Sequence, residues 1–175
     1  LVTNFGNAWQ GCSSLTSFPA LPDTSKVTNF AYTWFGCSSL TSFSALPDTS
    51  LVTNFAGAWY GCSSLTSFSA LPDTSLVTNF SGAWYNCSSL ASFPANQFDT
   101  TGTLASAAFA SAFQNCALTA SSIENILTSL VTNGQSDITL SLSGGTNAGA
   151  STWTPAAVTA YDTLISRGWT ITRNP

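Results

Sequence analysis

The sequence predicts an α/β repeat fold: a solenoid of about five 25-residue coils closed by a C-terminal helix-strand-helix-strand cap. Three observations predict it. Cys12, Cys37, Cys62 and Cys87 are each 25 residues apart. The block LVTNFGNAWQGCSSLTSFPALPDTS of residues 1–25 recurs at 26–50, 51–75 and 76–100, the last copy ending in NQFDT where LPDTS stands earlier. Beyond residue 118 the repeat gives way to signals for separate helices and strands. The chain is therefore divided into a repeat region, 1–118, with a divergent fifth copy over 101–118, and a cap, 119–175.

Each element of the coil has a local reason. Phe5, Trp9 and Cys12 stand at i, i+4 and i+7, one face of two helical turns. Gly or Asn precedes every Cys (Gly11, Gly36, Gly61, Asn86, Asn115), the residues that leave a helix most easily through positive φ. Leu15, Phe18 and Ala20 mark an extended segment, and Pro22-Asp23-Thr24 a turn. Val2-Thr3-Asn4-Phe5 reads as a second short extended piece. Phe109, Phe113 and Cys116 repeat the spacing of Phe80, Trp84 and Cys87 after a four-residue insertion. One coil cannot bury its own apolar face, whereas stacked copies bury it on one another.

The motif F-x3-[WF]-x2-C-S-S-L-T-S-F resembles the BspA-like leucine-rich repeats of bacterial surface and phage structural proteins. The resemblance covers residues 1 to about 118. It implies a leucine-rich-repeat-type solenoid and an extracellular setting, on a cell or virion surface. Trp stands where that family often has Phe, and the block is slightly longer than the family's own.

In the cap, Ser121-Ser122-Ile123-Glu124 reads as a capping box. The helix it opens carries Ile123, Ile126, Leu127 and Leu130 and ends at Gly134. Asp137–Leu142 alternates as a strand. Thr154-Pro155 is an N-cap followed by Pro at the first helical position. The second helix carries Val158, Tyr161, Leu164 and Ile165 and stops at Gly168. Residues 169–172 form a last strand.

Composition narrows the function. Only 6% of residues are charged, and the net charge is −4. The three basic residues, Lys26, Arg167 and Arg173, are dispersed, so a nucleic-acid footprint is not expected. No apolar run is long enough for a membrane helix, so membrane insertion is not expected either. Histidine is absent and Glu124 is the single Glu. A catalytic pair would have to come from scattered Asp residues, so the chain is expected not to be an enzyme.

The remaining candidates are columns of equivalent residues. The Cys column reads as a packed apolar ladder, with disulfides and metal as weaker alternatives. Asp23, Asp48 and Asp73 read as turn formers, with a Ca²⁺ site as the sharper alternative; otherwise no cofactor is expected. Asn4, Asn29, Asn54 and Asn79 read as an amide ladder. Phe35, Tyr60 and Tyr85 follow the core Trp and should point outward, as a stripe lengthened by Tyr32 that suits a glycan or a partner protein. The strand face with Ser42, Ser44, Ser67 and Ser69, and with Leu21, Leu46 and Leu71, is a second candidate. Leu1 falls in phase with the repeat, so Val2, Phe5 and Trp9 are expected to face solvent or a further stacked coil, from this chain or from another copy. The leading expectation is an extracellular recognition or adhesion module of the bacterial surface or phage tail-fibre kind. The alternative is a self-assembling subunit of a fibre, virion or surface layer.

Overall fold

The computed structural model describes residues 2–175, and it overturns the predicted fold class. Among the described residues there are two α-helices, both beyond residue 119, and two short parallel two-stranded sheets. Residues 2–118 contain no α-helix. The α/β leucine-rich-repeat-type solenoid of helix-and-strand coils is not what this chain forms; it is a compact domain with little regular secondary structure.

The cause lies at one position in each supposed helix. Asn7, Tyr32, Gly57 and Gly82 have φ of 60°, 56°, 58° and 61°. Left-handed backbone cannot sit inside a right-handed helix. The segment becomes a run of tight turns, in which the N–H groups of Ala8, Gln10 and Cys12 donate to the carbonyls of Phe5, Asn7 and Trp9. The alternate N–H groups leave the segment. Those of Phe5, Asn7, Trp9 and Gly11 donate to Asn29, Ala31, Thr33 and Phe35 at 2.7–3.0 Å. A helix would have spent its interior N–H groups on its own carbonyls. The apolar i, i+4, i+7 spacing is thus shared by a helix face and by this turn series.

The expected strands are short. Strands β1 (Ser17–Phe18) and β2 (Ser42–Phe43) pair in parallel, Ser17 opposite Ser42. Elsewhere in the repeats only single bridges form, Asn4 to Asn29, Asn29 to Asn54, Asn54 to Asn79 and Ser67 to Ser92.

Residues 25 apart therefore touch, and equivalent side chains pack on one another. Phe30 stacks on Phe55, Phe55 on Phe80, and Phe80 on Phe109, with ring centroids 5.3–5.8 Å apart. Trp9, Trp34, Trp59 and Trp84 form a second column at 5.4–5.8 Å, continued by Phe113 at 4.9 Å. Phe43, Phe68 and Phe93 meet the indoles edge-on. Each such pair adds about 0.5–1.5 kcal/mol beyond the area it buries. The inner faces hold one correction. Ala20, Ala45 and Ala70 are exposed, while Leu46 and Leu71 are buried.

Beyond the repeats, helix α1 spans Ala120–Asn133. Its cap is Thr119, which accepts from the Ser122 N–H, and not the box read at Ser121. Glu124 accepts the hydroxyl of Thr154 instead. Gly134, at φ 85°, ends the helix. Strand β3 (Thr139–Leu142) runs parallel to β4 (Thr170–Arg173). On its other side β3 covers the fifth block: Phe109 bridges Leu140, and the Phe113 N–H donates to Ser141. Helix α2 (Pro155–Ser166) has Thr154 as N-cap and Pro155 first, and packs on α1. Asn147, buried between these parts, accepts from the Leu118 N–H and donates to the Phe113 and Leu142 carbonyls. No helix among the described residues is long and apolar enough to cross a membrane.

Candidate recognition surface

The residue after each core Trp leaves the interior because the turn alternates inward and outward residues. Phe35 and Tyr60 stack with centroids 4.5 Å apart, and Tyr60 and Tyr85 at 4.7 Å. These three rings are half-buried rather than open, because each covers its neighbour's face. What they present outward is an edge. The hydroxyls of Tyr60 and Tyr85 make no hydrogen bond to the described residues, so each is free to serve a ligand.

Tyr32 is the most exposed of the four, at 44%. Its ring lies across Gly57, where an added Cβ would come within 2.5 Å of it. The variable column Asn7, Tyr32, Gly57, Gly82 is thereby explained. All four positions need left-handed backbone, and a glycine in the third makes room for the tyrosine of the second. A tyrosine with φ of 56° is uncommon and costs of order 1–2 kcal/mol. The phenol lies at the surface beside Phe35, centroids 6.1 Å apart.

Ser42, Ser44, Ser67 and Ser69 are exposed, as the sequence suggests. Ser69 donates to the Phe43 carbonyl, which ties one block to the previous one. Leu46 and Leu71 are withdrawn from this face into the core, so it is more polar than expected.

At the first block, Val2 is 53% exposed, while Phe5 and Trp9 are half-buried. Each later block receives four N–H donors from the one before; Asn54, Ala56, Ala58 and Tyr60, for instance, accept from Phe30, Tyr32, Trp34 and Gly36. The matching carbonyls of Asn4, Gly6, Ala8 and Gln10 receive none from the described residues.

All five cysteines are free thiols, with Cys12 exposed and the rest buried. The thiols of Cys37, Cys62, Cys87 and Cys116 donate to the carbonyls of Trp9, Trp34, Trp59 and Trp84 at 3.0–3.2 Å. Burial pushes Cys37 up to about 11 and Cys62 and Cys116 up to about 12, and it raises Cys87 well above the ordinary thiol value too. These thiols are inert packing groups at neutral pH.

Asp23, Asp48 and Asp73 each accept from the N–H two residues on, at Ser25, Ser50 and Ser75. That bond holds the carboxyls of Asp23 and Asp48 below their usual range. No group of three acidic, His or Cys side chains able to hold a metal occurs among the described residues. The Asn column does similar turn work: Asn4, Asn29, Asn54 and Asn79 accept from Gly6, Ala31, Ala56 and Ser81. A direct amide-to-amide bond links Asn29 to Asn4.

Sequence reasoning missed a cleft of about 380 Å³ where block three meets the aberrant end of block four, lined in part by Asp73, Asn96, Gln97 and Thr100. The signal was present in the sequence, as the replacement of LPDTS by NQFDT. No family model, curated protein or solved structure matches the chain.

Proposed function

We propose that the chain is a non-enzymatic recognition or adhesion module that works outside the cell, on a bacterial surface or in a phage tail fibre, and binds a glycan or a surface protein through its outer face. The observation that carries the reading is the phenol row: Tyr32, held outward on left-handed backbone, and the outward edges of Tyr60 and Tyr85, at one ring per block. Tyrosine offers contact area at low entropic cost together with a hydroxyl that both donates and accepts. The Ser-rich strand face adds further hydroxyls. The motif's resemblance to repeats of bacterial surface proteins supports the setting. The test is binding to a glycan array and to bacterial cells. Tyr60→Ala with Tyr85→Ala, and separately Tyr32→Gly, which keeps the backbone conformation, should lower binding at least tenfold. Binding that survives all three sinks the reading.

A second reading, a self-assembling subunit of a fibre, virion or surface layer, draws on the first block. Four carbonyls that receive no N–H from the described residues, beside Val2, Phe5 and Trp9, suit the donor side of a further block. Light scattering and electron microscopy of concentrated protein decide it. Filaments support this reading, and a monomer at every concentration removes it.

A further inference from the structure

The repeat is broken at one turn. In the earlier turns the hydroxyls of Thr24 and Thr49 donate to the carbonyls of Asp48 and Asp73, 24 residues on. Thr74 donates to the Gln97 carbonyl, 23 residues on. The chain has slipped by one residue, and the slip opens the cleft lined by Leu71, Asp73, Asn96, Gln97 and Thr100. Its volume of about 380 Å³ lies in the range of small-ligand sites, about 300–1,000 Å³.

Four polar groups face this space with bonding capacity left over. Gln97 is 4% exposed. Its Oε1 accepts from the Leu71 N–H at 2.8 Å, which fixes the amide. Its Nε2 donates to none of the described residues and is not sealed off from solvent, so it stays open to a ligand in the cleft. Asp73 uses Oδ1 on the Ser75 N–H and keeps its second oxygen. The Asn96 amide and the Thr100 hydroxyl make no hydrogen bond to the described residues. Asn96 is held at φ 58°, where a leucine stands in each of the three earlier copies.

We propose that this cleft is a binding site for one neutral sugar unit. A polyol satisfies the set: its hydroxyls donate to Asp73 and accept from Gln97, Asn96 and Thr100, while Leu71 and Pro72 take its C–H face. A cation finds one carboxylate and an opposing amide N–H, too few oxygens for Ca²⁺. An anion meets the Asp73 charge. An apolar ligand would leave both the carboxylate and the amide desolvated and unpaired. The assignment deepens the recognition reading and rests on it for its setting, though not for its chemistry.

The experiment is a titration of the full chain, labelled with ¹⁵N, by methyl glucoside, methyl mannoside, methyl galactoside and N-acetylglucosamine, following the side-chain amide signals of Gln97 and Asn96. N-acetylneuraminic acid and Ca²⁺ serve as contrasts. The expected result is a saturable shift of both amides with at least one neutral sugar at millimolar concentration. The Kd should rise at least tenfold in Asp73→Asn and in Asn96→Gly with Thr100→Val, all of which keep the backbone geometry. Amides unmoved by every neutral sugar, or moved equally well in those variants, overturn the cleft. Amides moved only by N-acetylneuraminic acid or by Ca²⁺ overturn it too. The broader reading fails separately: it survives array binding that depends on Tyr60 and Tyr85 while the Gln97 amide stays still. It fails on a blank array and blank cells, even if the cleft still takes a monosaccharide.

Discussion

The indole N–H groups of Trp34, Trp59 and Trp84 are buried without a partner among the described residues. An unmet donor of this kind costs about 1–3 kcal/mol. The fifth block carries Phe113 in the same column, fully buried. Trp59→Phe removes the unmet donor and leaves a small void, at about 24 cal/mol per Å³ of cavity. The two effects oppose, so Trp59→Phe should change unfolding free energy by less than about 1 kcal/mol, whereas Trp59→Ala should cost about 3–5 kcal/mol. Urea titrations of the two variants decide it, and equal losses would contradict the account. The thiols give a second expectation. Burial raises their folded-state pKa, so the folded chain holds protons that the unfolded chain releases above the usual 9.0. Their contribution is complete below that value and is lost as pH rises from 9 toward 11–12. The urea midpoint should therefore fall from pH 9 upward. A thiol reagent at pH 8 should modify Cys12 alone until the chain is denatured, and rapid reaction of a second thiol in the folded chain would refute the burial pattern.

At the scale of elements, the join between the fifth block and β3 depends on Asn147, which satisfies one buried N–H and two carbonyls. Asn147→Ala leaves all three unmet, and about 3 kcal/mol should be lost. The loss should appear as exchange of the Leu118 amide and as a lower melting temperature, and an unchanged Leu118 exchange rate would exclude this role. The elements also show what the sequence reveals. Thr154-Pro155 and Gly134 specify their helix ends through local chemistry, and they stand where that chemistry puts them. The turns of the repeats were misread as helix because Phe5, Trp9 and Cys12 satisfy a helical spacing that turns also satisfy. The contrary sign was the column Asn7, Tyr32, Gly57, Gly82: Asn and Gly recurring inside a helix signal left-handed backbone, and the tyrosine hid it. That the residue after each buried Trp leaves the core was legible, but the exposure expected of Phe35, Tyr60 and Tyr85 is not found, since all three are half-buried. The mutual stacking of these rings was not legible, because that depends on the spacing between blocks. The cleft is marked in the sequence only by NQFDT in place of LPDTS, and the one-residue slip that goes with it is visible only once hydrogen-bond partners are known.

For the molecule as a whole, the identity of successive hydrogen-bond sets has a direct consequence. Phe30, Tyr32, Trp34 and Gly36 donate to block three as Phe55, Gly57, Trp59 and Gly61 donate to block four. Excising residues 51–75 should therefore bring block two onto block four with donors and acceptors matched. The shortened chain should fold with a lower melting temperature, whereas excising residues 51–62 should abolish cooperative unfolding. Equal behaviour of the two deletions would show that register between blocks is not what holds the domain. The indole column has a further consequence. Trp9, Trp34, Trp59 and Trp84 lie nearly parallel, with interplanar angles of 6–10°. Transition dipoles at such spacing couple, so excitation is shared along the row instead of staying on one ring. The folded chain should therefore absorb less near-ultraviolet light per tryptophan than the unfolded chain. That hypochromism should vanish when the blocks part, which gives the protein a built-in optical gauge of its own register.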